Sequence, residues 1–220
     1  SGGLVSALTL DQIRVLLKWV HAQQGHVTRI DCALDDRAAT VSVSTVREAV
    51  AAGQCMTRAA QVRHIVSNLT HGDGATTGET MYFGSPQSQT LLRIYDKRLE
   101  LKSKEQANCE EYGIRWELEL KKDRAEQCAR ALASLDEADW KELVVGLLRS
   151  YVDFRQIPKD AEDEERYRAP VLEWYALLTE GFQKGRLAQE KQVQTLQNVK
   201  RWVSDTLTPM LAVICATPGG

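Results

Sequence analysis

The segment Gly78–Glu100, GETMYFGSPQSQTLLRIYDKRLE, decides the fold of this chain. It contains two short runs in which apolar and polar residues alternate, joined by a polar turn. Alternation with a period of two is typical of strands, because successive side chains point to opposite faces of a sheet. The segment therefore predicts two strands. The second of them places Tyr95 between Arg93 and Lys97 on its polar side.

Two further segments repeat this alternation, TRIDCALDD (Thr28–Asp36) and IRWELELKK (Ile114–Lys122). Four such strands predict an antiparallel sheet with one apolar face, which we expect helices to cover. The polar face would carry acids and cations together: Asp31, Asp35, Glu117, Glu119, Tyr95, Lys97, Arg29, Arg93 and Arg115.

The polar face has two interpretations. It can be an ordinary solvated face with ion pairs, as antiparallel sheets commonly have. Asp and Glu are depleted in strands, however, so carboxylates that recur at the centres of several strands favour a functional site.

The residue types of this face suit phosphodiester chemistry. Carboxylate oxygens are hard ligands for Mg²⁺ or Mn²⁺, and we expect Asp31 and Glu117 to bind such an ion, with Glu119 as a further candidate ligand. Tyr95 would be the nucleophile. A free phenol has a pKa of about 10, so Lys97 or the metal would have to favour the phenolate. Attack on DNA would give a phosphotyrosine and a free 3′-hydroxyl.

We expect arginines of the same face to hold the phosphate by paired hydrogen bonds. Arg93 is placed with Tyr95 and Lys97 in the predicted catalytic group. The candidates for DNA binding are Arg29, Arg115, Ser85, Tyr82 and Arg98.

The chain resembles the Rep_trans-type replication initiation factors, which include initiators of rolling-circle plasmids and phages and MobT-like relaxases. The resemblance lies in RIDCALDD, GETMYFGSPQS, RIYDKRLE and RWELEL, in this order between about residues 25 and 125. It implies a nickase that uses a tyrosine and a divalent metal. Tyr95 corresponds to the nucleophile of the family's arginine-x-tyrosine-x-lysine pattern, and Asp31 and Glu117 to metal ligands.

The resemblance also implies a partner and a compartment. The partner is origin DNA, either single-stranded or extruded as a hairpin, and the compartment is the bacterial cytoplasm. A homodimer and a host helicase are further partners that the residues leave open. No apolar run approaches the roughly 18 residues of a membrane span, so no membrane partner is expected.

Three alternatives remain. The chain could be a DNA-binding module without catalysis, in which Tyr95 stacks on bases. It could be a metal-dependent nuclease that activates water, or Tyr82 could replace Tyr95 as the nucleophile. The four histidines, His21, His26, His64 and His71, include no pair one residue apart, which argues against a nickase whose metal is held by such a pair.

The composition sets looser limits. The 220 residues carry a net charge of −2 and have a pI near 6.1, so we expect weak non-specific DNA binding. Five cysteines without zinc spacing predict reduced thiols. The chain lacks an initiating Met and has the ends SGG and PGG, so we expect that flanking domains have been cut away.

The fold class predicted is α+β, with the sheet domain in residues 1–125 and a helical subdomain in residues 126–220. Further strands are predicted at AATVSVST (38–45) and QVRHIVSNL (61–69), with a loop at 70–78. Further helices are predicted at 46–52, 98–106, 170–182 and 187–207. Thr9 is predicted as a helix N-cap, and Ser134 with Glu137 as a capping box. After Arg124 we expect helices only.

Overall fold

The structure is a computed structural model that describes residues 8–69, 76–104 and 109–184. Contacts divide the chain into a unit of residues 14–187 and a second unit of residues 1–13 and 188–220. The strands are β1 (Arg29–Asp36), β2 (Cys55–Thr57), β3 (Val62–Leu69), β4 (Thr76–Phe83), β5 (Thr90–Asp96), β6 (Ile114–Lys121) and β7 (Val152–Phe154). The helices are α1 (Leu10–Ala22), α2 (Val43–Ala51), α3 (Lys97–Ser103), α4 (Asp123–Ser134), α5 (Glu137–Tyr151), α6 (Asp163–Arg168) and α7 (Glu173–Lys184), and a 3₁₀ turn spans Cys109–Glu111.

Five strands form one sheet in the order β1-β6-β5-β4-β3, and every neighbouring pair is antiparallel. Five of the six predicted strands are present, including QVRHIVSNL as β3. β5 and β6 lie inside the sheet, so the strand that carries Tyr95 has a partner on each side.

One face of the sheet is apolar and buried, as predicted. Phe83, Leu92, Ile94 and Trp116 are each at most 1% exposed. Aromatic rings of the later elements pack against this face, with Phe154 of β7 in edge contact with both Phe83 and Trp116. This cluster joins the sheet to the C-terminal part of the chain.

Helices cover the apolar face. The side chains that α4 buries are small or apolar, and Cys128 lies with its Sγ 4.0 Å from the Sγ of Cys32 on β1. Tyr175 of α7 is fully buried and its hydroxyl donates a hydrogen bond to the carbonyl of Val152, 2.8 Å away. The α+β class with helices on one face of an antiparallel sheet is confirmed. Among the described helices, none combines the length and hydropathy that a membrane span requires.

The strand predicted at AATVSVST is wrong. Residues 43–51 form α2, whose N-cap is Ser42, with its Oγ accepting a hydrogen bond of 3.1 Å from the amide of Thr45. Val43, Val46 and Ala49 are buried at helical spacing. The cap and this buried stripe outweigh the preference of valine and threonine for strands, because tertiary burial decides between similar local preferences.

The helical expectation after Arg124 is also wrong in part. Val152–Phe154 forms β7, which pairs with β2 rather than continuing α5. Val152 and Phe154 are fully buried, and a buried backbone needs hydrogen-bond partners, which β2 supplies from distant sequence.

The Ser134–Glu137 capping box is absent. Ser134 ends α4 and its hydroxyl donates to the carbonyl of Ala131 at 2.8 Å, whereas Asp136 is the N-cap of α5. The predicted cap of α1 is present, since the Oγ of Thr9 accepts a hydrogen bond of 3.2 Å from the amide of Gln12.

The remaining boundaries shift by a few residues. The predicted helix 98–106 is α3, seen over Lys97–Ser103, and the predicted helix 170–182 is α7. Most of the loop predicted at 70–78 and the whole helix predicted at 187–207 lie outside the described residues. The division at residue 125 stays a prediction.

Gly113 allows β1 and β6 to approach closely beside the polar face. A Cβ at this position would lie 2.1 Å from the carbonyl oxygen of Asp36. The atom it would meet belongs to the backbone, so the strands would have to separate. Gly146 of α5, by contrast, is exposed and has open space around its Cβ position.

We predict opposite effects on stability for alanine at these two glycines. Gly113→Ala is expected to lower the free energy of unfolding by about 1–3 kcal/mol, because overpacking displaces backbone. Gly146→Ala, the matched control, is expected to raise the free energy of unfolding by roughly 0.5–1 kcal/mol, because alanine lowers the conformational entropy of the unfolded chain. Urea titrations followed by circular dichroism measure both, and an unchanged midpoint for Gly113→Ala would contradict the close approach.

Candidate active site

The polar face of the sheet is organised by strand register. Opposite Glu117 of β6 stands Arg93 of β5, and opposite Arg115 stands Tyr95. On the other side of β6, Asp31 of β1 stands opposite Glu119. Directly opposed residues share a face, so these side chains lie in adjacent rows on the same side of the sheet.

Tyr95 and Arg93 share one carboxylate. The hydroxyl of Tyr95 donates a hydrogen bond to Oε2 of Glu117 at 2.8 Å. Oε1 of the same group accepts from Nη2 of Arg93. The predicted nucleophile and one predicted metal ligand are therefore in direct contact.

The environment of Tyr95 keeps its phenol protonated. Burial raises the pKa of Tyr95 above its ordinary value, and the charge of Glu117 and the hydrogen bond to it raise this pKa further. The nearby charge of Arg115 lowers the pKa of Tyr95 but does not reverse the shift. In the absence of added positive charge, Tyr95 is therefore a neutral donor and not a phenolate.

Lys97 lies beside Tyr95, but its charge is directed elsewhere. It is the first residue of α3, which Asp96 caps by accepting a hydrogen bond from the amide of Leu99. The Nζ of Lys97 is 5.9 Å from the centroid of the Tyr95 ring and 2.6 Å from Oε2 of Glu100. The two residues from Tyr95 to Lys97 thus span the end of a strand and the start of a helix.

Glu100 neutralises this cation. Burial raises the pKa of Glu100, but hydrogen bonds from Lys104 and Lys97 more than reverse this and lower it. The carboxylate therefore stays ionised, and its charge adds to the forces that raise the pKa of Tyr95.

Arg115 is held rigidly by Asp35 of β1. Two hydrogen bonds of 2.7 and 2.8 Å join Nε and Nη2 of Arg115 to the two oxygens of Asp35. Burial lowers the pKa of Arg115, but the hydrogen bonds and charge of Asp35 outweigh this and raise it. The guanidinium lies 5.6 Å from the ring centroid of Tyr112. A permanent cation is thereby fixed beside Tyr95.

Glu119 is a buried carboxylate, with 5% of its surface exposed. It forms ion pairs of 2.7 Å with Arg29 and 2.6 Å with Lys121, and a longer one of 3.6 Å with Arg93. A buried charge is costly unless it is paired, so this cluster of cations is what allows Glu119 to remain in the sheet.

Asp31 lies beside Glu119 and is bound by Arg29. The two oxygens of Asp31 accept hydrogen bonds of 2.9 and 2.8 Å from Nε and Nη2 of that arginine. The hydrogen bond to Asp31 raises the pKa of Arg29. Arg29 thus bridges two of the predicted metal ligands.

The three predicted ligands suit a hard divalent ion in their chemistry, since all their donors are carboxylate oxygens. In the described residues they do not form a cluster of three or more groups arranged to hold a metal. Arg29, Arg93 and Lys121 occupy these oxygens instead. Binding of an ion by Asp31, Glu117 and Glu119 would therefore require these cations to give up some of their contacts.

The three other predicted DNA-binding residues lie in different elements of the fold. Tyr82 stands opposite Arg93, one strand away from Tyr95 on the same face. Arg98 is in the first turn of α3, with Nη2 3.9 Å from the carboxylate of Asp96. Ser85 lies in the β4–β5 turn, where its Oγ is 3.1 Å from that of Ser88.

The β4–β5 turn that contains Ser85 is at the other end of β5 from Tyr95. Tyr95 is five positions after Thr90 along β5, a distance of about 17 Å. The turn is instead close to the Glu119 end of the site, because Nζ of Lys121 donates a 2.6 Å hydrogen bond to the carbonyl of Pro86.

Sequence reasoning missed the contribution of Asp35 and Arg63. Asp35 was placed on the correct face but without a function, and alternation alone could not show that it orients Arg115. Arg63 lies in β3 opposite Tyr82, with its guanidinium 5.4 Å from the centroid of that ring. The period of two in QVRHIVSNL could have indicated this residue, since it puts Arg63 and Ile65 on one face of the strand.

Comparison with known proteins identifies the family. The sequence pattern of the replication initiation factors (Rep_trans) matches residues 25–218. The chain belongs to this family. The resemblance inferred from the motifs is thus confirmed, and the match extends well beyond the motif-bearing part of the chain.

Two members or neighbours of this family show how far the similarity reaches. The chain is 28% identical over 196 residues to the putative DNA relaxase NicK of Bacillus subtilis, covering 87% of this chain and 53% of the relative. It is similar, with a TM-score of 0.64 and 26% identity, to the structure of a rolling circle replication initiator protein from Geobacillus stearothermophilus. That similarity covers 82% of this chain and 64% of the other. The chain thus spans about half the length of the Bacillus relative.

We predict that Glu117→Gln lowers the pKa of Tyr95. The glutamine keeps the size of the side chain but removes the negative charge that disfavours the phenolate. The titration of Tyr95 is obtained from tyrosinate absorbance as the difference between each protein and its Tyr95→Phe counterpart. Glu48→Gln, on the exposed side of α2, is the control. An unchanged or higher Tyr95 pKa in Glu117→Gln would show that the carboxylate does not control the phenol.

Proposed function

We propose that the protein nicks and rejoins one DNA strand as a replication initiator or relaxase, with Tyr95 as the nucleophile. The observation that carries this proposal is the contact between the phenol of Tyr95, the carboxylate of Glu117 and the guanidinium of Arg93. Membership of the replication initiation factors supports it, as does similarity to a putative DNA relaxase and to a rolling circle replication initiator. Origin DNA, single-stranded or extruded as a hairpin, is the proposed substrate.

The proposed reaction is an exchange of one phosphoester for another. The phenolic oxygen of Tyr95 forms a bond to phosphorus, and the bond from phosphorus to the 3′-oxygen breaks. Glu117 is within hydrogen-bond reach of the phenol and accepts its proton. The 3′-oxygen leaves and takes up a proton, which gives a free 3′-hydroxyl and a 5′-phosphotyrosine. Rejoining is the reverse attack by a 3′-hydroxyl.

The neighbouring arginines offset charge as the reaction proceeds. Arg115 favours the ionised form of Tyr95, and Asp35 fixes its position so that little reorganisation is needed. Arg93 is placed to exchange its contact with Glu117 for one with the phosphate. Lys97, above the ring of Tyr95, would add positive charge once it leaves Glu100.

A divalent cation, Mg²⁺ or Mn²⁺, is part of the proposal. Asp31, Glu117 and Glu119 would hold it. When bound, it supplies positive charge that polarises a phosphate oxygen and favours the phenolate. The raised pKa of Tyr95 is the reason such added charge is needed.

Covalent trapping tests the proposed nucleophile. A single-stranded origin oligonucleotide, labelled on the 3′ side of the cleavage site and incubated with Mn²⁺, is expected to give a protein–DNA adduct with the wild-type chain. Tyr95→Phe should form no adduct, whereas Tyr82→Phe should retain it, and a chelator should abolish it. Cleavage without an adduct would favour a nuclease that activates water. Binding without cleavage would favour a DNA-binding module, in which a neutral Tyr95 stacks on bases.

The proposed ligands can be tested through metal binding itself. Asp31→Asn and Glu119→Gln are expected to weaken Mn²⁺ binding by about tenfold or more, because each removes a charged ligand. Isothermal titration of the DNA-free protein with Mn²⁺ measures this, with Glu48→Gln as the control. Equal Mn²⁺ affinity in all four proteins would contradict the assignment.

A further inference from the structure

The polar face continues past Tyr95 onto β4 and β3, where its character changes. The rows of the register place Tyr82 and Arg63 beside Arg93, and Thr80 and Ile65 beside Tyr95. None of the four side chains that β3 and β4 contribute to these rows is a carboxylate, in contrast to the β1–β6 side. Arg63, Ile65 and Tyr82 are named here the β3–β4 platform.

Arg63 differs from the other arginines of the face. Arg29, Arg93 and Arg115 each form an ion pair with a carboxylate. Arg63 forms no ion pair with a described carboxylate, and its Nε is buried without a hydrogen-bond partner. It contacts the ring of Tyr82 instead. A guanidinium that stacks on an aromatic ring and is not neutralised by a described carboxylate suits contact with a nucleobase or a phosphate.

Ile65 gives the platform an exposed apolar surface. Ile65 is 42% exposed, and the register puts it opposite Thr80, which in turn stands opposite Tyr95. Val66, the next residue, is equally exposed at 42% but points to the other face of the sheet. Ile65 lies diagonally across from Tyr82. It therefore adds apolar surface beside the aromatic ring on which an unpaired base can stack.

We infer that the β3–β4 platform binds an unpaired nucleobase close to the phosphate that Tyr95 attacks. The inference rests on the proposed function, because it needs DNA on this face. β3 lies two strands from β5, a distance of about 10 Å, so a base on the platform belongs to a nucleotide within one or two positions of Tyr95. Bases inside a duplex do not expose their faces, so the platform selects single strands.

The distribution of charge indicates from which side of the sheet a DNA strand approaches Tyr95. The β1–β6 side carries Asp31, Asp35, Glu117 and Glu119, and their cations are engaged with them. The β3–β4 side offers a cation unmatched by any described carboxylate. A phosphate chain therefore meets less repulsion from the β3 side, and the platform holds the strand while the reacting phosphate lies over Tyr95.

Binding by a protein that cannot react tests the platform independently of catalysis. In the Tyr95→Phe background, fluorescence anisotropy measures affinity for a labelled single-stranded decanucleotide and for the matching duplex. Arg63→Ala, Ile65→Ser and Tyr82→Ala are each expected to weaken single-strand binding by about 5- to 100-fold. Duplex affinity should change much less. Arg63→Lys should fall between Arg63→Ala and the parent, since it keeps the charge and loses the planar stack.

Two control variants match the platform variants, one by its strand and the other by its residue type. Val66→Ser removes an equally exposed side chain from the opposite face of β3, and Arg47→Ala removes an exposed arginine of α2. Both should bind like the parent, and circular dichroism confirms the fold of each variant. Unchanged single-strand affinity in the platform variants, or an equal loss for duplex, would overturn the inference.

The outcome separates this inference from the proposed function. If the wild-type chain forms no adduct but single-strand binding still depends on the platform, the platform stands and the nicking proposal fails. If an adduct forms and the platform variants bind normally, nicking stands and the platform fails.

Discussion

The Glu117 carboxylate is the group on which the polar face depends. It joins Tyr95 and Arg93 of β5 to β6, and it does so only because the two strands are in a register that opposes Glu117 to Arg93. A shift of one residue would turn every side chain of β5 to the other face and would bury Tyr95 and Arg93 in the core. The buried packing of Ile94 and Trp116 on the reverse side fixes that register. The apolar core therefore positions the polar site.

The resting site favours the neutral phenol over the phenolate. Burial and Glu117 act against ionisation of Tyr95, while Arg115 acts for it. Under the proposed function, a phosphate that draws Arg93 from Glu117 or a cation that binds nearby would change this balance, because each alters the charge next to the phenol. The proposal thus couples the reactivity of Tyr95 to substrate binding.

Strand prediction succeeded where one face of a strand meets the core. The alternation in residues 28–36 and 114–122 was enough to give both the element and the face, because burial of one side imposes a period of two. It failed at AATVSVST, where Val41 and Val43 are both buried. A turn closed by the Asp36 carboxylate, which accepts from the amide of Val41 at 3.0 Å, and the cap at Ser42 account for that burial without a strand.

The sequence could not show pairings between distant segments. β7 joins β2, nearly a hundred residues earlier, through backbone groups that carry no side-chain signature. The partners of the site residues were hidden in the same way. Alternation placed Asp31, Glu117 and Glu119 on one face, yet the register decided that Arg93 contacts Glu117 and that Arg29 contacts Glu119.

By itself, the sequence determined which residues share a face, because that follows from the period of the strand and the need to bury apolar side chains. It also determined the family, through motifs that need no structure. Only the tertiary structure decided that the phenol of Tyr95 meets Glu117 and that Asp35 holds Arg115. Those contacts depend on strand order and register, which arise from the packing of the whole sheet against its helices.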